Sequence, residues 1–318
     1  MTDIKKKYTS PIKHTEGFKR YYTMDYYLKH KYGRKMCKIP LSTGFSCPNR
    51  DGSKGTGGCA FCSGDGGAEF APKGIIPIEE QFKKGAETLL KKWPDAGFIG
   101  YFQSFTNTYG PIEKLNYFLE EACRLPIEGI RIATRGDCID EEIADLLAKF
   151  NERIPLVAEL GLQTVFDETA AKMNRCHSFS EFLKGFELLK ERGIQSSVHI
   201  IDGLPGETAE MMIETAKTVG ELMPLSIKIH MLHILKGSAL GDLYEKQPFP
   251  LLSKEEYVDI VVRQLEVIDE NIVIERLTGD GAAFSLMAPL WTKKKLTVIN
   301  DIDKLLYERN TYQGRLLK

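Results

Sequence analysis

Residues 35–62 read KMCKIPLSTGFSCPNRDGSKGTGGCAFC, a short β-rich run followed by a glycine-rich segment that contains three cysteines. The run 35–41 has the alternation of a strand, and the glycines after it let the backbone wrap closely around a bulky group. Further β-rich runs alternate with helical stretches along the chain, which is typical of repeated βα units. We predict strands at 35–41, 98–102, 129–134, 156–162, 195–201 and 226–232.

The helical stretches have a clear apolar phase, and two of them begin with capping boxes, Ser178-x-x-Glu181 and Ser253-x-x-Glu256. A further β-like run at 272–277 and a last helix near 299–308 follow the six βα units. The sequence therefore predicts an α/β fold, a partial (β/α)6 barrel of the TIM type with extensions at both ends. We divide it into a basic aromatic N-terminal arm (1–36), a barrel core (37–268) and a C-terminal extension packed on the barrel (269–318).

Composition narrows the class of protein. The chain has 318 residues, 42% of them hydrophobic, and it shows neither a signal peptide nor an apolar run of membrane-spanning length. We therefore expect a soluble, cytoplasmic protein without a membrane partner. Its seven cysteines are odd in number and unevenly spread, which favours metal binding over a disulfide framework.

Charge is also unevenly spread, because residues 1–36 contain ten Lys or Arg and only three Asp or Glu. Seven aromatic residues are interleaved with these basic ones. Basic side chains can follow phosphates while aromatic faces stack on unpaired bases, which is one interpretation of this arm. The other is a solvated terminal helix whose tyrosines cover the core.

The three clustered cysteines, Cys47, Cys59 and Cys62, come directly after the first predicted strand. Ligands of parallel barrels bind at the carboxyl ends of the strands, so these thiols are the leading metal-ligand candidates. Thiolates select zinc or iron-sulfur clusters. A structural zinc site closes its shell with four ligands, and Cys37 could supply a fourth in a non-catalytic zinc-binding protein. Three cysteines alone would leave one iron of a cluster open.

The motif Cys59-Ala-Phe-Cys62 resembles the second half of the radical S-adenosylmethionine (SAM) cysteine motif. Eleven residues separate Cys47 from Cys59, a longer gap that resembles the branch containing the catalytic domain of Elongator subunit 3. The resemblance implies a 4Fe-4S cluster on Cys47, Cys59 and Cys62. It also implies SAM on the open iron and a low-potential electron donor such as flavodoxin or ferredoxin.

Four later segments resemble the SAM-binding segments of the family: 101–108, 159–164, 174–177 and 199–207. In the third of these, Cys176 stands where the family has glycine. An ordinary reading of single residues remains open, since Glu159 could form a barrel salt bridge and Gly203-x-x-Gly206 a plain turn. The resemblance implies SAM contacts from Phe61, Gln103, Thr106, Glu159, Gln163, Arg175, His199, Gly203 and Gly206.

The segments 44–52, 102–108 and 288–291 resemble a stand-alone bacterial family that acts on the wobble uridine of tRNA. That resemblance implies conversion of a 5-carboxymethylaminomethyl group to 5-aminomethyl, with the tRNA anticodon stem-loop as partner. A radical SAM enzyme acting on a small metabolite or a protein is the alternative. Substrate-side candidates after the sixth strand are Lys228, His230, His233, Lys236, Arg276, Thr278, Asp280 and Lys293.

Overall fold

The computed structural model describes residues 10–15, 17–64, 66, 76–103, 105–279 and 285–317, and its central feature is a parallel sheet. Seven strands follow the order β1-β2-β3-β4-β5-β6-β8, with every neighbouring pair parallel. They are β1 Met36–Leu41, β2 Gly97–Phe102, β3 Ile130–Thr134, β4 Leu156–Gln163, β5 Gln195–Asp202, β6 Ser226–Met231 and β8 Val273–Arg276. All six predicted strands are present, and the partial barrel is confirmed.

The seventh strand, β8, comes from the run 272–277, which the sequence placed beyond the six βα units. It pairs with β6, with Ser226 opposite Val273. The connection between them is long because it contains β7 Ile234–Leu235, which pairs antiparallel with β9 Leu286–Ala288, and two helices. The sheet therefore has one strand more than predicted.

Helices follow the strands along the chain, and both predicted capping boxes form, at Ser178 and Ser253. In the described part of the chain, no helix has both the length and the apolar character that a membrane crossing requires. The helices are α1 Met24–Tyr32, α2 Ile78–Leu90, α3 Ile112–Cys123, α4 Glu141–Asn151, α5 Asp167–Lys172, α6 Phe179–Glu191, α7 Ala209–Glu221, α8 Ala239–Lys246, α9 Lys254–Glu266 and α10 Lys295–Glu308.

Alternation along the strands separates an apolar outer layer from a polar interior. On β1, Cys37, Ile39 and Leu41 belong to the hydrophobic core that contains helix residues such as Phe82. The intervening residue Lys38 faces the inside of the barrel. The core thus lies between sheet and helices, which leaves the interior free for polar chemistry.

The described part of the N-terminal arm lies at the amino end of the barrel. Helix α1 packs against both edge strands, β1 and β8. The carbonyl of Tyr22 accepts a hydrogen bond from the Ile274 amide (2.7 Å), and the Tyr32 hydroxyl donates to the carbonyl of Glu128 (3.3 Å), just before β3. Tyr21 is buried in the core. The arm thus covers the end opposite to the cysteine segment, and its tyrosines pack on the core.

Candidate active site

A cavity of about 640 Å³ occupies the barrel interior, and Cys47, Cys59 and Cys62 all line it. The cysteine segment follows the carboxyl end of β1, and Gln103 and Arg135 line the same cavity just after β2 and β3. The structure therefore brings the three predicted ligands together at the carboxyl ends of the strands, where parallel barrels bind their ligands.

Short turns fix the cysteine segment. The Arg50 amide donates to the Cys47 carbonyl (2.9 Å), and the Cys62 amide donates to the Cys59 carbonyl (2.9 Å). Between these turns Gly57 and Gly58 take φ values of 78° and 83°, which glycine adopts without steric cost. The sequence needs glycines here because the chain must reverse directly before a ligand.

Cationic and amide donors surround the sulfur atoms. Arg175 Nη1 lies 3.2 Å from Cys59 Sγ, and Asn49 Nδ2 lies 3.5 Å from the same atom. Burial raises the pKa of the Cys62 thiol to about 11 and Cys59 adds to the rise, while Arg50 opposes it. Metal binding requires thiolates, so these donors would stabilise the bound form and tune the potential of a cluster.

Cys37 does not join the other three cysteines. Its side chain lies in the outer hydrophobic core, and burial raises the pKa of its thiol. Across the described residues, no group of three or more His, Cys, Asp or Glu side chains is arranged around a single metal ion. The position of Cys37 in the outer core counts against the zinc-site alternative, which needs it as the fourth ligand.

Gln163 and Arg175, both predicted SAM contacts, each have a buried polar atom with no hydrogen-bond partner among the described residues. Gln163, at φ 74°, has an unpaired Oε1, and Arg175 has an unpaired Nε although its Nη2 donates to the Gly161 carbonyl (2.6 Å). A residue held at positive φ is strained, and such strain clusters at functional sites. Phe61, Gln103 and Thr106 line the same cavity.

The turn at Cys176 forms despite the missing glycine. Cys176 adopts φ 55°, and Asn174 beside it adopts φ 51°. Asn174 Nδ2 donates to the carbonyl of Gly58 (2.8 Å), which joins this turn to the cysteine segment. The left-handed conformation that the family's glycine would supply is therefore kept by a cysteine at some steric cost.

Of the remaining predicted SAM residues, two line the cavity and two do not. Glu159 and His199 sit deeper in the barrel, and the two atoms Glu159 Oε2 and His199 Nε2 are 3.2 Å apart. Gly203 and Gly206 do not line the cavity; Gly203 at φ 86° belongs to the turn after β5, beside Leu252. For all nine residues, a role in SAM binding stays a prediction.

Four of the substrate-side candidates, Lys228, His230, His233 and Arg276, line the cavity, whereas Lys236, Thr278 and Lys293 do not. Asp280 lies outside the described residues. Burial brings the pKa of His230 well below its usual range, and burial lowers that of His233 to about 4. Within the described residues, Nε2 of each of these two histidines is buried with no hydrogen-bond partner, and burial favours the neutral imidazole of both.

The barrel salt bridge that the sequence left open for Glu159 forms, but sequence reasoning missed the ionic network at the cavity floor to which it belongs. Glu159 and Glu275 are surrounded by Lys38, Arg131 and Lys228, so that β1, β3, β4, β6 and β8 are joined. Burial alone would raise the pKa of each carboxyl group, but the three cations hold both well below the usual range. The sequence did contain one signal of this network, because these charged residues occupy inward-facing positions of otherwise apolar strands.

The comparisons with known proteins agree with this geometry. The chain matches the family model described as the Radical SAM superfamily over residues 47–219 and the Radical_SAM C-terminal domain over residues 224–308. It therefore belongs to the radical SAM superfamily, whose enzymes use a 4Fe-4S cluster and SAM. The Bacillus subtilis (strain 168) protein YtqA is 42% identical over 97% of this chain and 96% of its own length.

Relatives of the Elongator branch also match. A Methanocaldococcus infernus tRNA uridine(34) acetyltransferase is 26% identical over 53% of this chain and 31% of its own length. The solved structure of archaeal M. infernus Elp3 lacking its N-terminus has a TM-score of 0.67 and 16% identity, covering 87% of this chain and 64% of that chain. The sequence match confirms the resemblance, and the structural match confirms the fold.

The residues present fit the family's cofactors. Three thiols on one cavity wall supply three ligands for a cluster, which leaves one iron for the amino and carboxylate groups of SAM. The guanidinium of Arg175 and the amide of Gln163, each with an unpaired buried atom beside this wall, offer a donor and an acceptor to such a ligand.

Proposed function

We propose that this radical SAM enzyme modifies the wobble uridine of tRNA by removing the carboxymethyl group from 5-carboxymethylaminomethyluridine, which leaves 5-aminomethyluridine. The observation that carries the proposal is the similarity to a tRNA uridine(34) acetyltransferase across about half of this chain. No reaction is carried over from that relative, because it covers only part of each protein. The proposal takes from it the target nucleoside alone.

The cavity suits such a substrate. The wobble base lies in a single-stranded loop, so it can enter a barrel without the unpairing cost of a duplex base, which is a few kcal/mol. The cavity volume of about 640 Å³ exceeds what one nucleobase requires and leaves room for SAM. Neutral His230 and His233 and cationic Arg276 would face the base and its substituent.

The protein's own residues have separable tasks in this scheme. Cys47, Cys59 and Cys62 would hold the cluster, and Arg175 and Gln163 would orient SAM. When bound, cluster and SAM supply the radical chemistry that removes a hydrogen atom from the substrate. The overall balance takes up one water and one SAM and releases glyoxylate, methionine, 5′-deoxyadenosine and a proton with each aminomethyl product. The barrel walls would keep other water from the reacting carbon.

The RNA contact and the electron donor are part of the proposal. The described arm covers the amino end of the barrel, so the RNA would meet Arg50 and Lys54 beside the cysteine segment before it meets α1. Phosphate contacts by such residues would make binding strongly salt-dependent. A low-potential flavodoxin or ferredoxin would supply the electron that first reduces the cluster in the cytoplasm, where the tRNA is modified, and the overall balance takes up no further electron.

Nucleoside analysis of tRNA from cells that lack this chain tests the proposal. We expect 5-carboxymethylaminomethyluridine to accumulate and to disappear again when the wild-type chain or a Cys123→Ala variant is supplied. A Cys59→Ala variant should not restore the conversion. Cys123 is the matched control because it lies on α3, outside the cavity. An unchanged nucleoside profile would overturn the tRNA assignment and favour a metabolite or protein substrate.

A further inference from the structure

The floor of the cavity carries an uneven number of charges. Three cations (Lys38, Arg131, Lys228) and two carboxylates (Glu159, Glu275) contact one another there. The neighbouring titratable groups do not correct the imbalance, because burial lowers the pKa of His199 to about 4 and raises that of Tyr101 well above its usual range. The network thus keeps one positive charge in excess.

The excess charge can be assigned to Lys38. Its side chain is 24% exposed, whereas those of Lys228 and Arg131 are 7% and 3% exposed. All three cations contact both carboxylates, and the two less exposed ones, Arg131 and Lys228, alone would balance them. Lys38 also faces the cavity, 5.1 Å from the centre of the Tyr101 ring.

Lys38 shares both of its carboxylate partners, Glu159 (3.0 Å) and Glu275, with Arg131 and Lys228. Burial lowers the pKa of its ammonium group to about 8 although both carboxylates act to raise it. The ammonium group of Lys38 shares its carboxylates with two more deeply buried cations, so an added carboxylate would give it a further charge-assisted hydrogen bond. The floor is therefore built to accept one further negative group.

We propose that Lys38 is the specificity residue for the carboxylate of the substrate's carboxymethyl group, an inference that rests on the proposed function. The carbon that loses hydrogen is bonded directly to that carboxylate, so a grip on the carboxylate also fixes the reacting C–H bonds. The product, 5-aminomethyluridine, has no carboxylate and loses this contact. Lys38 would therefore favour binding of the substrate over binding of the product.

Binding of two anticodon stem-loops to the anaerobic holoenzyme with SAM, without reductant, tests the subsite. One RNA carries 5-carboxymethylaminomethyluridine and the other 5-methylaminomethyluridine, which lacks the carboxylate. We expect the wild type to prefer the first by about tenfold or more, as a hydrogen bond to a charged group provides. Lys38→Met should bring the ratio close to one without weakening the second RNA, and Lys38→Arg should keep part of the preference.

Lys35→Met is the matched control, because Lys35 also lines the cavity but pairs with Asp25 (2.6 Å). It should leave the preference intact. A preference that survives Lys38→Met, or equal weakening of both RNAs, would overturn the subsite and leave the proposed function standing. The proposed function itself would be overturned if the wild-type holoenzyme showed no preference for the carboxymethylated RNA and did not convert it after reductant was added.

Discussion

Removal of the carboxylate of Glu275 should be far more damaging than removal of the ammonium group of Lys38, although the two side chains contact each other. Glu275→Gln removes the carboxylate that Lys38, Arg131 (2.6 Å) and Lys228 (3.2 Å) contact, so these three cations face Glu159 alone and two positive charges lack compensation. Breaking a buried ion pair from one side costs about 3–5 kcal/mol. Lys38→Met leaves a balanced set of charges and should cost less than about 2 kcal/mol.

The assay is urea unfolding of the two single variants and the double variant, followed by circular dichroism at equal cluster content. The double variant carries the same net charge in the network as the wild type. We therefore expect it to be more stable than Glu275→Gln alone, with a coupling free energy of at least about 1 kcal/mol. Equal losses from the two single variants, or strict additivity, would refute the assignment of the excess charge to Lys38.

Three further outcomes follow. Burial raises the pKa of Asp202 to about 8, although the hydrogen bond from Gln264 acts to lower it, so the folded protein loses stability relative to the unfolded chain as pH rises. Asp202→Asn should remove this loss. Unfolding curves should therefore show that the variant gains about 1.4 kcal/mol of stability over the wild type per pH unit between about pH 5 and 7. Gly55→Ala places a Cβ 2.6 Å from Asn49 Oδ1 and should lower the iron content after anaerobic reconstitution. Gly64→Ala, whose Cβ meets no atom of the described residues within 4 Å, should not. Arg175→Lys loses the planar fork and should raise the Kd of SAM about tenfold, measured by equilibrium dialysis.

The sequence predicted the architecture well because strand alternation, capping boxes and glycine positions are local signals. All six predicted strands formed. The run that forms β8 was recognisable as β-like in the sequence, although its place in the sheet was not. The cysteine site was also predictable, since three thiols after the first strand need only the parallel topology to converge. Membership of the family then followed from short segments at successive strand ends.

The cavity floor could not be predicted in the same way. Lys38, Arg131 and Glu275 are far apart in sequence, and each looks like an ordinary charge until the partial barrel brings them into contact. The location of the arm could not be predicted for the same reason. Its charge was visible in the sequence, but its packing at the amino end of the barrel depends on long-range contacts such as that of Tyr22 with Ile274.

The central claim is that Cys47, Cys59 and Cys62 hold a cluster that drives removal of a carboxymethyl group from the wobble uridine. The most direct measurement incubates the reconstituted enzyme anaerobically with SAM, a reductant and an anticodon stem-loop carrying 5-carboxymethylaminomethyluridine. We predict 5-aminomethyluridine and 5′-deoxyadenosine in equal amounts, and neither product from the Cys59→Ala variant. A brown, iron-loaded enzyme that cleaves SAM but leaves the nucleoside unchanged would contradict the account.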